Sequence, residues 1–191
     1  MKVIEHFRTI GAHRRLVRAG CFAVGLYFQG LTHDLSKYSP DEFIVGAKYY
    51  QGFRSPNNAE REDVGYSSAW LHHKGRNKHH YEYWMDYSSR EGEGIIPARM
   101  PDRYIVEMFM DRIAASKTYN RGHYTDDMPL EYYNSGSPGR FMEEYTRLLL
   151  EKLLTMLAES GEDVCFEYIR TNILNRRPGT QLAQYLAHRK E

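Results

Sequence analysis

The spacing of apolar side chains predicts a protein built almost entirely from helices. Apolar residues recur every three or four positions over 3–29, 101–119 and 140–160, which is the period of one face of an α-helix. Gly20 favours a division of the first segment into two helices, and Gly161 is expected to end the last one. The sequence has no alternating stretch of useful strand length, no glycine-rich nucleotide-binding pattern and no internal repeat. The fold class predicted is therefore all-α.

Polar and turn residues predict the segments between these helices. The stretch SPDE at 39–42 has the residues of a helix start, and the helix should run to about Tyr50. Residues 66–89 are expected to form two helical pieces joined at Gly75–Asn77, with Asn77 as the cap of the second. The remaining predictions are a loop or lead into a helix at 54–65, a loop at 90–101 and irregular structure at 120–140.

Length and charge limit the classes of protein to consider. A chain of 191 residues is about one domain, and its formal net charge of +1 leaves nucleic-acid binding possible but unsupported by net charge. The two cysteines, Cys21 and Cys165, predict neither a disulfide framework nor a cysteine-rich zinc module. No apolar run reaches the roughly 20 residues of a membrane span, so we expect a cytoplasmic protein without a membrane partner.

Histidines and aspartates are the candidate chemistry of this chain. Four of its nine histidines fall within 72–80, as the pairs His72-His73 and His79-His80. Further imidazole and carboxylate groups are supplied elsewhere by His13, His33, Asp34 and Asp111. Imidazole and carboxylate together suit Fe, Mn, Co, Ni or Zn. A divalent transition metal is thus the cofactor to consider, with no organic cofactor site indicated.

Asp111 is unusual because it lies in an otherwise apolar helical segment. An unpaired buried carboxylate costs several kcal/mol, so Asp111 needs a cation or a strong hydrogen-bond donor. Glu107, one turn earlier, falls on the same face. The alternative to a metal is a salt bridge to a basic residue of the same helix: Arg112, Lys117 or Arg103.

The doublet His33-Asp34 offers two ligands that point in different directions. Lys37 follows one turn later, from where its ammonium could reach a phosphate bound at the metal. The alternative is that Asp34 caps a turn and His33 is exposed.

The stretch HHKGRNKHH at 72–80 combines both histidine pairs with three basic residues. Adjacent residues on a helix diverge by about 100°, so we expect one histidine of each pair to face a given ion. Its basic residues, Arg76 among them, suit a phosphate or nucleic-acid contact. The alternative is a solvated basic turn.

The order His13, His33-Asp34, histidine cluster, Asp111 resembles the HD-domain superfamily of metal-dependent phosphohydrolases, whose order is H…HD…D. THDLSK is similar to the doublet with its lysine, and MDRIAASKTY to the segment of the final aspartate. The resemblance covers about 6–118. HDLSKYSPDEF, HHKGRNKHH and DRIAASKTY also resemble an uncharacterised, HD-like bacterial and phage family of the DUF5662 type.

This resemblance implies a single HD-like helical domain over 1–191, with additional C-terminal helices at about 140–191. It implies that one ion is held by His13, His33, Asp34 and Asp111, and a second by one member of each histidine pair. Lys37 would contact phosphate, Asp34 would accept a proton from metal-bound water, and Arg76 would help to neutralise the phosphate. The C-terminal helices have no ligand set and are expected to supply packing or a homodimer interface.

The function implied is hydrolysis of a nucleotide or another small phosphate ester at one or two metal ions. Two alternatives stay open from the sequence. A di-iron oxygenase of the HD type would use the same ligands for different chemistry. A non-enzymatic helical module would bind phosphate or nucleic acid through the basic residues of 74–78.

Overall fold

The computed structural model describes residues 1–120, 122–136 and 138–174. These residues are predominantly helical, and the predicted all-α class is confirmed. The α-helices are α1 (Val3–Ala23), α2 (Tyr27–Thr32), α3 (Pro40–Tyr49), α4 (Pro56–Val64), α5 (Ser68–Arg76), α6 (Asp102–Tyr119), α7 (Met128–Gly136) and α8 (Glu144–Tyr168). Short 3₁₀ segments are Leu35–Tyr38, Tyr81–Trp84 and Pro138–Phe141, and a π-helix, Ile169–Leu174, follows α8.

The first helix continues past Gly20, where the sequence predicted a break. A Cβ atom at position 20 would lie 2.8 Å from Met110 Sδ, so the glycine permits close packing between α1 and α6. The break comes instead between α1 and α2, where Gly25 has a φ of 87°. This left-handed conformation is the one that favours glycine.

The prediction of a second helix between 77 and 89 was wrong. The Asn77 side chain donates to His73 O at 2.8 Å, so Asn77 closes the end of α5 instead of starting a new helix. The chain continues as the 3₁₀ segment Tyr81–Trp84 and then as β1 (Met85–Tyr87). This strand pairs antiparallel with β2 (Ile95–Pro97), with Asp86 opposite Ile96.

Two polar segments contain helices. Most of the segment 54–65, which was expected to be a loop or the lead into a helix, is itself the helix α4, and part of the predicted irregular region 120–140 forms α7. At Gly161 the long helix α8 is interrupted by a residue with φ 79° and ψ 174°, as the glycine predicted, and it then resumes. Residues 175–191 of the predicted C-terminal extension lie outside the described residues.

The apolar core is formed mainly by α1, α6 and α8. Phe109 and Ile105 of α6 and Leu150, Leu153 and Leu157 of α8 are fully buried members of one cluster. This cluster fixes the position of α6, and the other face of α6 carries Glu107 and Asp111. Within the described ranges, no helix has the length and apolarity to cross a membrane.

Candidate metal centre

The His33-Asp34 doublet lies at a helix end, as its sequence context predicted. α2 ends at Thr32, and Asp34 follows with φ 55° and ψ 26° before the 3₁₀ segment Leu35–Tyr38. It is the one non-glycine position with positive φ in the described part of the chain. Aspartate tolerates this conformation at a modest cost, and such strain concentrates at functional sites. The turn places the Asp34 carboxylate in the interior, where its exposed fraction is 0%.

A first ligand group unites α1, the doublet and α6. His13 Nε2 lies 2.9 Å from Asp111 Oδ1 and 3.6 Å from Asp34 Oδ2. His33 Nε2 lies 3.5 Å from Asp111 Oδ1 and 3.3 Å from Asp34 Oδ2. The ligand atoms of all four residues lie within 4.8 Å of one another. Three separate elements therefore bring the predicted first set together.

A second ligand group lies on the other oxygen of Asp34. His73 Nε2 is 3.3 Å and His79 Nε2 is 3.4 Å from Asp34 Oδ1. His80 joins them, and the four ligand atoms again lie within 4.8 Å of one another. Asp34 thus presents one carboxylate oxygen to each group, as a carboxylate that bridges two ions would.

Several buried atoms at this site lack a hydrogen-bond partner among the described residues. They are Nε2 of His13, His33, His79 and His80, and both carboxylate oxygens of Asp34, one of which has an ion pair with Lys37. Buried polar atoms are nearly always satisfied, so a cluster of unsatisfied atoms indicates something absent from the protein chain. All six are of types that coordinate metals.

The separations between these atoms also fit coordination better than direct hydrogen bonding. Apart from the 2.9 Å between His13 Nε2 and Asp111 Oδ1, the nitrogen–oxygen distances of the first group are 3.3–3.6 Å, which is too long for good hydrogen bonds. Two ligands of one ion, with bonds of about 2.1 Å, lie about 3 to 3.5 Å apart. The residues present therefore fit a transition metal, with neutral imidazole and carboxylate as the donors.

Glu107 contacts one histidine of each ligand group, at the ring nitrogen that is not the candidate ligand atom. Its Oε1 lies 3.0 Å from His33 Nδ1 and 3.2 Å from His79 Nδ1. An N–H at Nδ1 that donates to Glu107 leaves Nε2 free to coordinate, since metal-ligating histidines commonly donate their other ring N–H to a carboxylate. His33, His79 and Glu107 form a further cluster of ligand-type atoms. Its geometry is that of a carboxylate orienting two ligands.

Glu42 supports a histidine of the second ligand group in the same way. It accepts hydrogen bonds from His72 Nδ1 and His73 Nδ1, each at 2.7 Å. The sequence pattern at 39–42 assigned Glu42 to the start of α3, where Pro40 does open the helix and Ser39 is its N-cap residue. Its carboxylate instead turns toward α5, and only the structure reveals this, because the capping pattern already accounted for the residue.

The electrostatics keep the shared carboxylate ionised. Burial favours the neutral acid, but His33, Lys37 and His73 outweigh this and hold the pKa of Asp34 well below its ordinary value. Lys37 Nζ lies 2.6 Å from Asp34 Oδ2, with its side chain 30% exposed. Lys37 thus sits where the doublet's spacing predicted, beside the ligand groups.

Asp111 has no ion pair with the basic residues considered from the sequence. Its partners are histidines of the first group, and these hold its pKa well below the ordinary value although burial alone would raise it. Lys117 pairs instead with Glu162 at 2.5 Å. The salt-bridge interpretation of this carboxylate was therefore wrong among the described residues.

Two predicted site residues lie apart from the ligand groups. His72 faces away from Asp34, with Nδ1 on Glu42 and Nε2 3.4 Å from Asp41 Oδ2. Arg76 is exposed at the end of α5 and donates from Nε to His72 Nε2 at 2.7 Å. Of the first histidine pair the structure brings only His73 to the centre, whereas both His79 and His80 reach it.

A cavity of about 650 Å³ opens onto the ligand groups. Its wall includes ligands of both groups (His13, Asp111, His73 and His80), and His33, Asp34 and His79 lie deeper. Lys37 and Arg112 contribute positive charge, and Tyr50, Trp70, Tyr81 and Tyr119 contribute aromatic surface. This volume is in the range of small-molecule sites.

The chain belongs to the family described as "Family of unknown function (DUF5662)", which matches residues 2–156. The match includes every residue of both ligand groups. Comparison with curated proteins and with solved structures finds no match. The family assignment names no activity, so a functional hypothesis depends on the geometry of the site.

Proposed function

We propose that this protein is a metal-dependent phosphohydrolase acting on a nucleotide or another small phosphate ester. The observation that carries the proposal is the position of Asp34, with one oxygen on each of two ligand groups. Two ions held about a shared carboxylate form a clamp suited to phosphoryl chemistry. The resemblance of the residue order to HD-domain phosphohydrolases supports the same class of reaction.

The ligand sets follow from the two groups. His13, His33, Asp34 and Asp111 would hold one ion, and Asp34, His73, His79 and His80 the other. Imidazole and carboxylate donors favour Fe, Mn, Co, Ni or Zn. When bound, such ions lower the pKa of a coordinated water and polarise a phosphoryl oxygen.

The chain's own side chains would bind and orient the ester. Lys37 lies on the cavity wall beside the ligand groups, so its ammonium is placed to contact the phosphate at the metals. Both oxygens of Asp34 face ligand nitrogens, which assigns this residue first to holding the ions; its role as proton acceptor stays a prediction. Arg76 does not line the cavity, so it is not part of the proposed substrate-binding site.

The HD-type di-iron oxygenase is a second candidate, because the same shared carboxylate would suit two iron ions. The two chemistries differ in whether oxygen is consumed.

A cytoplasmic location also belongs to the proposal, and the buried free thiols of Cys21 and Cys165 support it.

The test is elemental analysis of metal-replete protein, followed by a phosphatase screen over nucleotides, cyclic dinucleotides and sugar phosphates. We expect near-stoichiometric metal, about one to two ions per chain, and phosphate release. Asp111→Asn should lose the ion of the first group, about half of the metal, together with phosphate release, whereas Asp163→Asn, at an exposed position of α8, should retain the metal and the activity. Metal below roughly 0.3 per chain would exclude the metal-enzyme proposal, because a folded site should be nearly full. Oxygen consumption without phosphate release would favour the oxygenase.

A further inference from the structure

We propose that Arg112 forms a second anion-binding position in the cavity, so that the substrate carries another anionic group besides the phosphate at the metals. The inference rests on the proposed function and narrows its substrate class. The ligand expected is a phosphate ester with a second phosphate or a carboxylate.

Arg112 faces the same cavity as the ligand groups from a different direction. It follows Asp111 on α6, and both residues line the cavity wall. Neighbouring residues on a helix diverge by about 100°, so the guanidinium lies to one side of the metal ligands. It stacks over the Tyr133 ring, with Cζ 5.4 Å from the ring centroid.

The guanidinium has no acidic partner in the part of the chain that the structure describes. Its Nε is buried and makes no hydrogen bond, and no carboxylate of the described residues lies within ion-pair distance. Arg54, the other arginine on the cavity wall, is held by both oxygens of Glu62 and is therefore satisfied. Arg112 differs because its donors remain available to a ligand.

The groups around Arg112 do not use its donors. Asp111 is engaged by His13 and His33, and the Tyr133 hydroxyl donates to Glu151 at 2.9 Å. Glu82, whose buried Oε2 makes no hydrogen bond, also lines the cavity and favours the Arg112 cation through space, but no ion pair joins the two side chains. Burial nevertheless lowers the pKa of Arg112 from its ordinary value.

Arg112 is half-buried and its buried Nε makes no hydrogen bond, which is costly, and an anion in the cavity would remove that cost. The planar fork of a guanidinium matches the two oxygens of a carboxylate or phosphate. Lys37 already supplies positive charge beside Asp34. Arg112 is therefore assigned to a second group of the ligand instead of the phosphate at the metals.

The test compares ligands that differ by one anionic group, using isothermal titration of the metal-loaded full chain. One pair is 3-phosphoglycerate and glycerol 3-phosphate; a second pair, with a longer spacing, is adenosine 3′,5′-bisphosphate and adenosine 5′-monophosphate. In the wild type we expect the member with the additional anionic group, in at least one pair, to bind about tenfold or more tightly, the effect of one charge-assisted hydrogen bond. Arg112→Gln should reduce that preference to about twofold or less, and Arg112→Lys should keep part of it.

Arg103→Gln is the matched control, because Arg103 is exposed on the same helix and lies outside the cavity wall. It should keep the wild-type preference, and thermal melts of all variants should show folded protein. An equal affinity for both members of both pairs in the wild type would overturn the proposal. So would a preference unchanged in Arg112→Gln, or an equal loss of affinity for both members of the preferred pair.

Metal content and phosphate release, measured on the same preparations, separate this inference from the proposed function. A preference that depends on Arg112 without phosphate release would support the anion position and contradict the hydrolase. Phosphate release without any such preference would do the reverse.

Discussion

The two faces of α6 show two different ways to bury a helix. Toward α8, Ile105 and Phe109 are completely buried in the apolar cluster, and burial by itself stabilises them. Toward the ligand groups, Glu107 and Asp111 are carboxylates that need partners from other elements. They find histidines of α1, of the doublet and of the segment after α5.

The two faces differ in whether their buried atoms have all the partners they need. The apolar face needs no further partner once the chain has folded, whereas the polar face leaves buried histidine and aspartate atoms without hydrogen bonds. Under the proposed function, the apolar core supplies the rigid frame and a bound metal would satisfy the polar side. Substitutions on the two sides should therefore have separable effects on stability and on metal binding.

The largest effect is expected from Asp34→Asn, because Asp34 is the one residue common to both ligand groups. Its amide would present a single neutral oxygen, so both ions should be lost and phosphate release should fall by more than about a thousandfold. Elemental analysis and initial rates measure this.

Asparagine tolerates the left-handed conformation at position 34, so the fold should persist. Excess metal, which should stabilise the wild type by about 2.7 kcal/mol at 100 times Kd, should not stabilise the variant. Retention of a full complement of metal would contradict the assignment of Asp34 to both groups.

The next largest effect is expected from Leu153→Ala, in the apolar core. Leu153 is fully buried in α8, and the cavity left by its truncation should cost about 2–5 kcal/mol in the free energy of unfolding. Urea unfolding should show this loss with and without metal. The folded variant should still bind metal to wild-type stoichiometry, and loss of metal from folded protein would show that the two sides are not separable.

Glu107→Gln should have an intermediate effect, on metal affinity more than on stability. The amide keeps the shape of the side chain but weakens its hold on His33 and His79, so affinity should fall by about 10–100-fold. Titration against a chelator of known affinity measures the change. Glu159→Gln on the exposed face of α8 is the control and should bind like the wild type.

The smallest effect should come from His72→Ala, compared with its neighbour. His73 faces Asp34, so His73→Ala should remove the second ion, about half of the bound metal at full occupancy. His72 contacts Glu42 and Asp41, so His72→Ala should change metal content by less than about a fifth, since its effect on the ligands is indirect. Equal losses in the two variants would contradict the orientation of α5.

Much of the frame is predictable from local pattern. Pro40 opens α3 because proline fixes φ and lacks an N–H, and Gly161 interrupts α8 because glycine readily adopts a positive φ. Asn77 was misassigned because an asparagine between two polar segments suits either end of a helix. Its amide closes α5 only because Ser36 and His73 lie within reach.

By itself the sequence determined the helical class and the side-chain types available as candidate ligands, since hydrophobic period and side-chain type are local properties. Only the tertiary structure decided which histidine of the first pair turns inward. It also brought Glu42 and Glu107 behind the candidate ligands, and placed Arg112 but not Arg76 on the cavity wall. The physical reason is that neighbouring side chains on a helix differ by about 100° in direction. Which direction faces Asp34 depends on how distant helices pack.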